Sequence, residues 1–171
     1  TGEQIDVLNE MGTQQHAVSE IPASVASLQT ALALAIKIGD LRGEARSHAN
    51  LAGAFLALAD YPRTLEHYQR ALALWKDLGD PLEQGRVLYG MGLFYRDRGD
   101  LDTALRSLSA ALPLRRASDD AQGVLHTLVA LANVHQGRGE MAQASDCLQQ
   151  ALDLSRSVGD EGKAVVLSTV A

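Results

Sequence analysis

With 171 residues, 46% of them hydrophobic and 21% charged, the chain can bury a continuous core, which excludes a disordered or fibrous class. A net charge of −6 argues against a nucleic-acid surface, which needs a basic stripe, and Thr1-Gly2-Glu3-Gln4 lacks the basic and apolar regions of a signal peptide. No apolar run is expected to approach the 18 or so uncharged residues that cross a bilayer, so a cytoplasmic protein without a membrane partner is expected.

A four-residue signature returns every 40 residues: Ala31-Leu32-x-Leu34, Ala71-Leu72-x-Leu74, Ala111-Leu112-x-Leu114 and Ala151-Leu152-x-Leu154, followed at one offset by Asp40, Asp80, Asp120 and Asp160. A fixed period of this length marks a repeat array, in which each unit buries its apolar face only against its neighbours. The units are read as about 1–40, 41–80, 81–120 and 121–160, with a partial fifth at 161–171, in a single array that reads as a piece of a longer protein. Each unit divides into two amphipathic helices rich in Ala and Leu, so the class is all-α.

In the first unit Met11 and Gly12 open columns that continue through Leu51 and Ala52, Met91 and Gly92, and Leu131 and Ala132. The small members of the second column let helices approach closely. Unit two places its first helix from after Asp40 to about Ala59, with Ala45, His48, Leu51, Ala52 and Phe55 at three- and four-residue steps. The second helix follows Asp60-Tyr61-Pro62, carries Leu65, Tyr68, Ala71, Leu72 and Trp75, and ends near Gly79-Asp80. Gly79 suits a left-handed closing position and Asp80 can cap the next helix, with Pro81 at its first position and Glu83 three residues on. Further columns are Ile21, Tyr61, Leu101, Met141 and Ser24, Thr64, Ala104, Ala144. In unit three Pro113 falls inside the second helix and is expected to kink it or end it early. The fifth unit stops at Val165, Val166, Leu167 and Val170, an apolar end that could pair two copies as a homodimer.

The pattern resembles the tetratricopeptide repeat. Ala52, Phe55, Thr64, Tyr68 and Ala71 match in unit two, and Gly92, Tyr95, Ala104, Leu108 and Ala111 in unit three, over a span from about residue 3 to 171. Gln15 and His135 stand where units one and four should carry the aromatic. The resemblance implies a right-handed α-solenoid of antiparallel helix pairs. Since the usual period is about 34 residues, it looks like the 40-residue variant found in spindle-orientation adaptors and in bacterial regulators of the maltose-activator type. Three lysines against twelve arginines read as the residue usage of a GC-rich bacterial genome.

The resemblance further implies a concave groove lined by the first helices, and a non-catalytic scaffold that binds a protein or peptide there. The carried-over groove residues are Asp6, Asn9, Thr13 and His16 from unit one, Arg46 from unit two, Arg86, Tyr89 and Arg96 from unit three, and His126, Asn133 and Gln136 from unit four. Asn50 and Arg86 fit two places of the carboxylate clamp found in chaperone-tail-binding relatives, but Asn9 and Thr13 replace the Lys and Asn expected in unit one. That clamp is incomplete. Arg46, Arg86 and His126 share a column and would form a ladder of donors for carboxylates, which favours acidic segments. The alternatives are a structural or self-associating module and the small-ligand-sensing region of a larger regulator. No enzyme, cofactor or metal site is expected: the five histidines have no metal-ligand spacing, and Cys147 has no neighbouring base and reads as a buried thiol.

Overall fold

The computed structural model describes residues 1–158. The expectations placed on Asp160 and on the fifth unit at 161–171, with its apolar homodimer end, lie outside the described residues. Within them there are eight α-helices and no strand: α1 (Gly2–Ala17), α2 (Ile21–Ile38), α3 (Leu41–Ala57), α4 (Tyr61–Asp77), α5 (Pro81–Asp97), α6 (Leu101–Ala117), α7 (Ala121–Gly137) and α8 (Met141–Val158).

From Ile21 onward a helix begins every twenty residues, half the period of the sequence signature. The turns explain this register. The residue at each twentieth position less one is left-handed: Ser19, Gly39, Ala59, Gly79, Gly99, Asp119 and Gly139 all have positive φ. The next residue's N–H reaches back five positions, as from Asp40 to the Ala35 carbonyl, Asp60 to Phe55, and Asp100 to Tyr95, each at 2.9 Å. The left-handed residue itself donates three back, Gly99 to the Arg96 carbonyl at 2.9 Å. This pair of bonds closes one helix on the carbonyls that it would otherwise leave bare. The same acidic residue then opens the next helix. The side chains of Asp40, Asp60, Asp100 and Asp120 accept from the backbone N–H groups of Gly43, Arg63, Thr103 and Gly123 at 2.9 to 3.1 Å. The closing bond recurs at all seven connections, from Glu20 to Glu140, and the side-chain cap joins it at four, Glu20 making none.

The chain divides into two compact halves, Thr1–Asp80 and Pro81 onward. Within the first half, consecutive helices pack in pairs and α1 also touches α3; within the second the same holds, with α5 touching α7. The small-residue columns are what permit this. Gly12, Ala52, Gly92 and Ala132 are all buried, and a Cβ on Gly12 or Gly92 would lie 2.5 Å from the Cγ of Leu28 or Leu108. Ser24, Thr64, Ala104 and Ala144 are buried as well, Ser24 donating to the Gly12 carbonyl at 2.7 Å. In the Met11 column Leu51 and Leu131 are buried; Leu51 is covered by α2 of the preceding repeat, whereas Met11, in the first repeat, is 41% exposed. Met141 is exposed too.

Two expectations fail here. Pro113 does not end α6, which runs seventeen residues to Ala117 like its neighbours. Both Pro113 and Ser109, whose carbonyl loses its helical donor, are exposed, so the missing bond falls on the face of α6 turned from the core. The second failure concerns apolar length. Ile21–Ile38 carries only one charged residue, Lys37, and by length and composition is apolar enough to cross a membrane, with a mean hydropathy of 1.5. In this fold it is α2, burying Ser24, Leu28, Ala31 and Ala35 and packing against α1 and α3.

Candidate peptide-binding surface

In the first half α1 and α3 run side by side, because residues one repeat apart meet across them. Arg46 and Asp6, 40 residues apart at equivalent positions, form an ion pair at 2.5 Å, with side-chain exposures of 48% and 63%. Asn9 is 2% exposed. Its amide donates to the Ile5 carbonyl at 3.1 Å and to Ser47 Oγ at 3.0 Å, and its oxygen accepts from Asn50 Nδ2 at 3.1 Å. Asn9 and Asn50 therefore clasp α1 to α3, and Asn9, placed in the groove by the sequence, lies in the interior instead. A buried amide is stable only with its bonds made; α1 itself supplies one, at Ile5, and packing against α3 supplies the other two. Thr13 is exposed and donates to the Glu10 carbonyl at 2.8 Å, and exposed His16 lies over Gly53, where a Cβ would come 3.9 Å from its ring.

In the second half Arg86 is exposed and donates to Glu83, one turn earlier, at 2.8 Å. Arg96 pairs with Asp97 at 2.7 Å. Tyr89 is half-buried beneath Arg115, whose guanidinium carbon sits 4.5 Å from the ring centre; burial pushes the Tyr89 phenol up, with Arg115 and Arg96 pulling it back. His126 and Asn133 are half-buried and Gln136 is exposed. The imagined ladder of open donors thus resolves into ion pairs: Arg46 holds Asp6 in one half, and Arg86 holds Glu83 in the other.

Other polar groups are tied into packing. His48 Nδ1 and His67 Nδ1 lie 2.7 Å apart, joining α3 to α4, and the His67 ring stacks on Phe55 at 5.3 Å. At the 2.7 Å separation of the two nitrogens, with the rings tilted by 43°, one ring donates and the other accepts. Burial, then His67 and Arg70, holds His48 down at about 4, and burial also lowers His67. His135 bonds Glu140 at 2.6 Å. Cys147 is buried, and burial with nearby Asp146 pushes its thiol up, away from the reactive thiolate. Trp75 is 2% exposed, with Arg42 over its ring at 5.9 Å. Neither the His48–His67 bond nor the Tyr89–Arg115 contact has a sequence signal, since the partners lie 19 and 26 residues apart on different helices.

Two family models of the tetratricopeptide repeat match the chain over residues 47–82 and 83–157, adjoining without a gap. The chain belongs to the tetratricopeptide-repeat family. Such repeats build protein-interaction scaffolds, and neither matching model describes a catalytic family. No curated protein matches the sequence. Among solved structures, aspartyl phosphate phosphatase F from Bacillus subtilis superposes with a TM-score of 0.88 at 18% identity, over 95% of this chain and 44% of that one. BtubC (BKLC) from P. vanneervenii gives 0.82 at 19% identity, over 90% and 64%. A P. anserina protein of nearly identical TPR-like repeats, described as a kinesin light chain, gives 0.78 at 14% identity, over 96% and 81%. At these identities the likeness shows the fold alone, an all-α repeat solenoid. This tetratricopeptide-repeat chain spans less than two thirds of the length of the first two.

Proposed function

We propose that the chain is a non-catalytic scaffold that takes peptide segments on the exposed polar faces of its first helices, with a preference for acidic segments. In the first half that face carries Thr13, His16 and Arg46; in the second it carries Arg86, Tyr89, His126, Asn133 and Gln136. The observation that carries this reading is the state of the two arginines. Both are about half exposed, and among the described residues each pairs with one carboxylate, Asp6 or Glu83. Exposed ion pairs contribute about 0–1 kcal/mol, so an incoming Glu or Asp can take the place of Asp6 or Glu83 at little cost. The planar guanidinium also suits two-pronged carboxylate recognition. We further infer that the protein acts in the cytoplasm as the sensor or adaptor part of a larger regulator, and that its source is bacterial, the last of which the preference for Arg over Lys supports.

The test is fluorescence polarisation with acidic, neutral and basic labelled 12-residue peptides, alongside capture from lysate with wild type and an Arg46→Glu, Arg86→Glu variant of unchanged helicity. Selective binding of the acidic peptide that is lost on charge reversal supports the reading. Equal retention of partners and peptides by both proteins would overturn it.

A further inference from the structure

In the second half a buried charge stands at a position that does not require one. Ala35, Trp75, Arg115 and Ser155 occupy equivalent places in the four second helices, and Arg115 is only 5% exposed. Facing it is Gly85, where equivalent positions carry Ile5, Ala45 and Leu125; a Cβ there would come 2.9 Å from Arg115 Cγ. Room has been left for this side chain.

The guanidinium is incompletely served. Nη1 donates to the Gly123 carbonyl at 2.7 Å, its face lies over Tyr89, and Asp120 Oδ2 stands 3.8 Å from Nε, beyond hydrogen-bond reach. Nε has no acceptor among the described residues although it is buried. A desolvated cation with an unmet donor is costly unless something completes its shell.

Arg115 also lines a cleft of about 460 Å³ between the end of α6, the turn into α7, and α8. The size suits a small organic ligand. Its apolar side is Val124, Leu128 and Leu154, and its charged side holds Arg115 and Arg116 together with Asp119, Asp120 and Asp153, the last of which also accepts from Arg156 and Gln149 at 3.2 Å at the exposed rim. Arg116 donates to Gln150 at 3.0 Å, while the Asp119 carboxylate accepts no hydrogen bond among the described residues. The cleft thus offers a half-served guanidinium in its wall, an open carboxylate and an aliphatic side. A simple anion would meet the carboxylates, and a simple cation would meet the arginines.

We propose that this cleft binds a zwitterionic aliphatic ligand, an amino acid or short peptide, with its carboxylate toward Arg115 and Arg116, its ammonium toward Asp119 and Asp153, and its side chain on Leu128 and Leu154. The probes are leucine and trileucine, titrated calorimetrically into the whole chain, with N-acetyl-leucine and leucinamide removing one charge each. Saturable binding is expected for at least one zwitterion, weakened at least tenfold by blocking either end. Arg115→Met should weaken it at least tenfold. Asp119→Asn, at an exposed turn where folding is not at stake, should weaken the zwitterions but leave N-acetyl-leucine unaffected. No binding of either zwitterion, or unchanged affinity in Asp119→Asn, would overturn the proposal and leave Arg115 a tether between α6 and α7.

Discussion

Replacing Gly92 with alanine tests whether close helix approach, rather than helix propensity, governs the small-residue column. The added Cβ would lie 2.5 Å from Leu108 Cγ, 2.7 Å from its Cδ2 and 3.4 Å from its backbone nitrogen. Leu108 is 0% exposed, so it has no solvent to swing into. Overpacking of a close-packed site costs about 1–3 kcal/mol, and two contacts under 3.0 Å place this site near the upper end. Against that stands a gain of about 1 kcal/mol from replacing a mid-helix glycine. The net expectation is a loss of about 2 kcal/mol in urea unfolding monitored by circular dichroism. Gly53, also inside a helix, supplies the contrast: a Cβ there meets only the His16 ring at 3.9 Å, so Gly53→Ala should stabilise by about 0.5–1 kcal/mol. In a Leu108→Ala background the clash disappears, and Gly92→Ala should become neutral or stabilising. Stabilisation by Gly92→Ala in the wild-type background would refute the reasoning.

Three further outcomes follow from the same contacts. His48 and His67 are held neutral by burial, so protonation favours the unfolded chain. Their contribution is whole above the ordinary value of 6.5 and is lost as pH falls toward about 4, the value for His48. Discounted for half exposure, the loss is about 1–2 kcal/mol, and a His48→Gln, His67→Gln variant should show a correspondingly smaller stability drop between pH 7.5 and 4.5. Ala59 pays for a φ of 55° that glycine adopts freely, so Ala59→Gly should raise stability by about 1 kcal/mol in thermal or urea melts; a loss would mean that the turn is not strained. Asn9→Ala strands Asn50 and Ser47 at the α1–α3 contact and should cost about 1–3 kcal/mol, with faster hydrogen exchange in both helices as the local readout.

Much of the fold was legible because its signals are local. Helix starts depend on Asp40, Asp60, Asp100 and Asp120 bonding an N–H three residues away, and helix ends depend on glycines such as Gly39 and Gly79 at a left-handed turn. Even the twenty-residue register is written in the acidic residues from Glu20 to Glu140, although the Ala-Leu-x-Leu signature draws the eye to forty. The early end expected at Pro113 did not occur because the cost of a proline depends on which face it occupies, and only packing decides that Ser109 and Pro113 lie on an exposed face. The candidate site was legible only in part. Column arithmetic brought Asp6 and Arg46 to equivalent positions but did not show that they would pair with each other, nor that Asn9, three residues on, would turn inward to bond Ser47 and Asn50. The composition and spacing of this chain alone determined helix pairs in an array, because capping, turn chemistry and apolar period act within a few residues. The tertiary structure decided which polar groups are spent and which are open, Arg115 above all, because burial and partnership are set by residues from other helices.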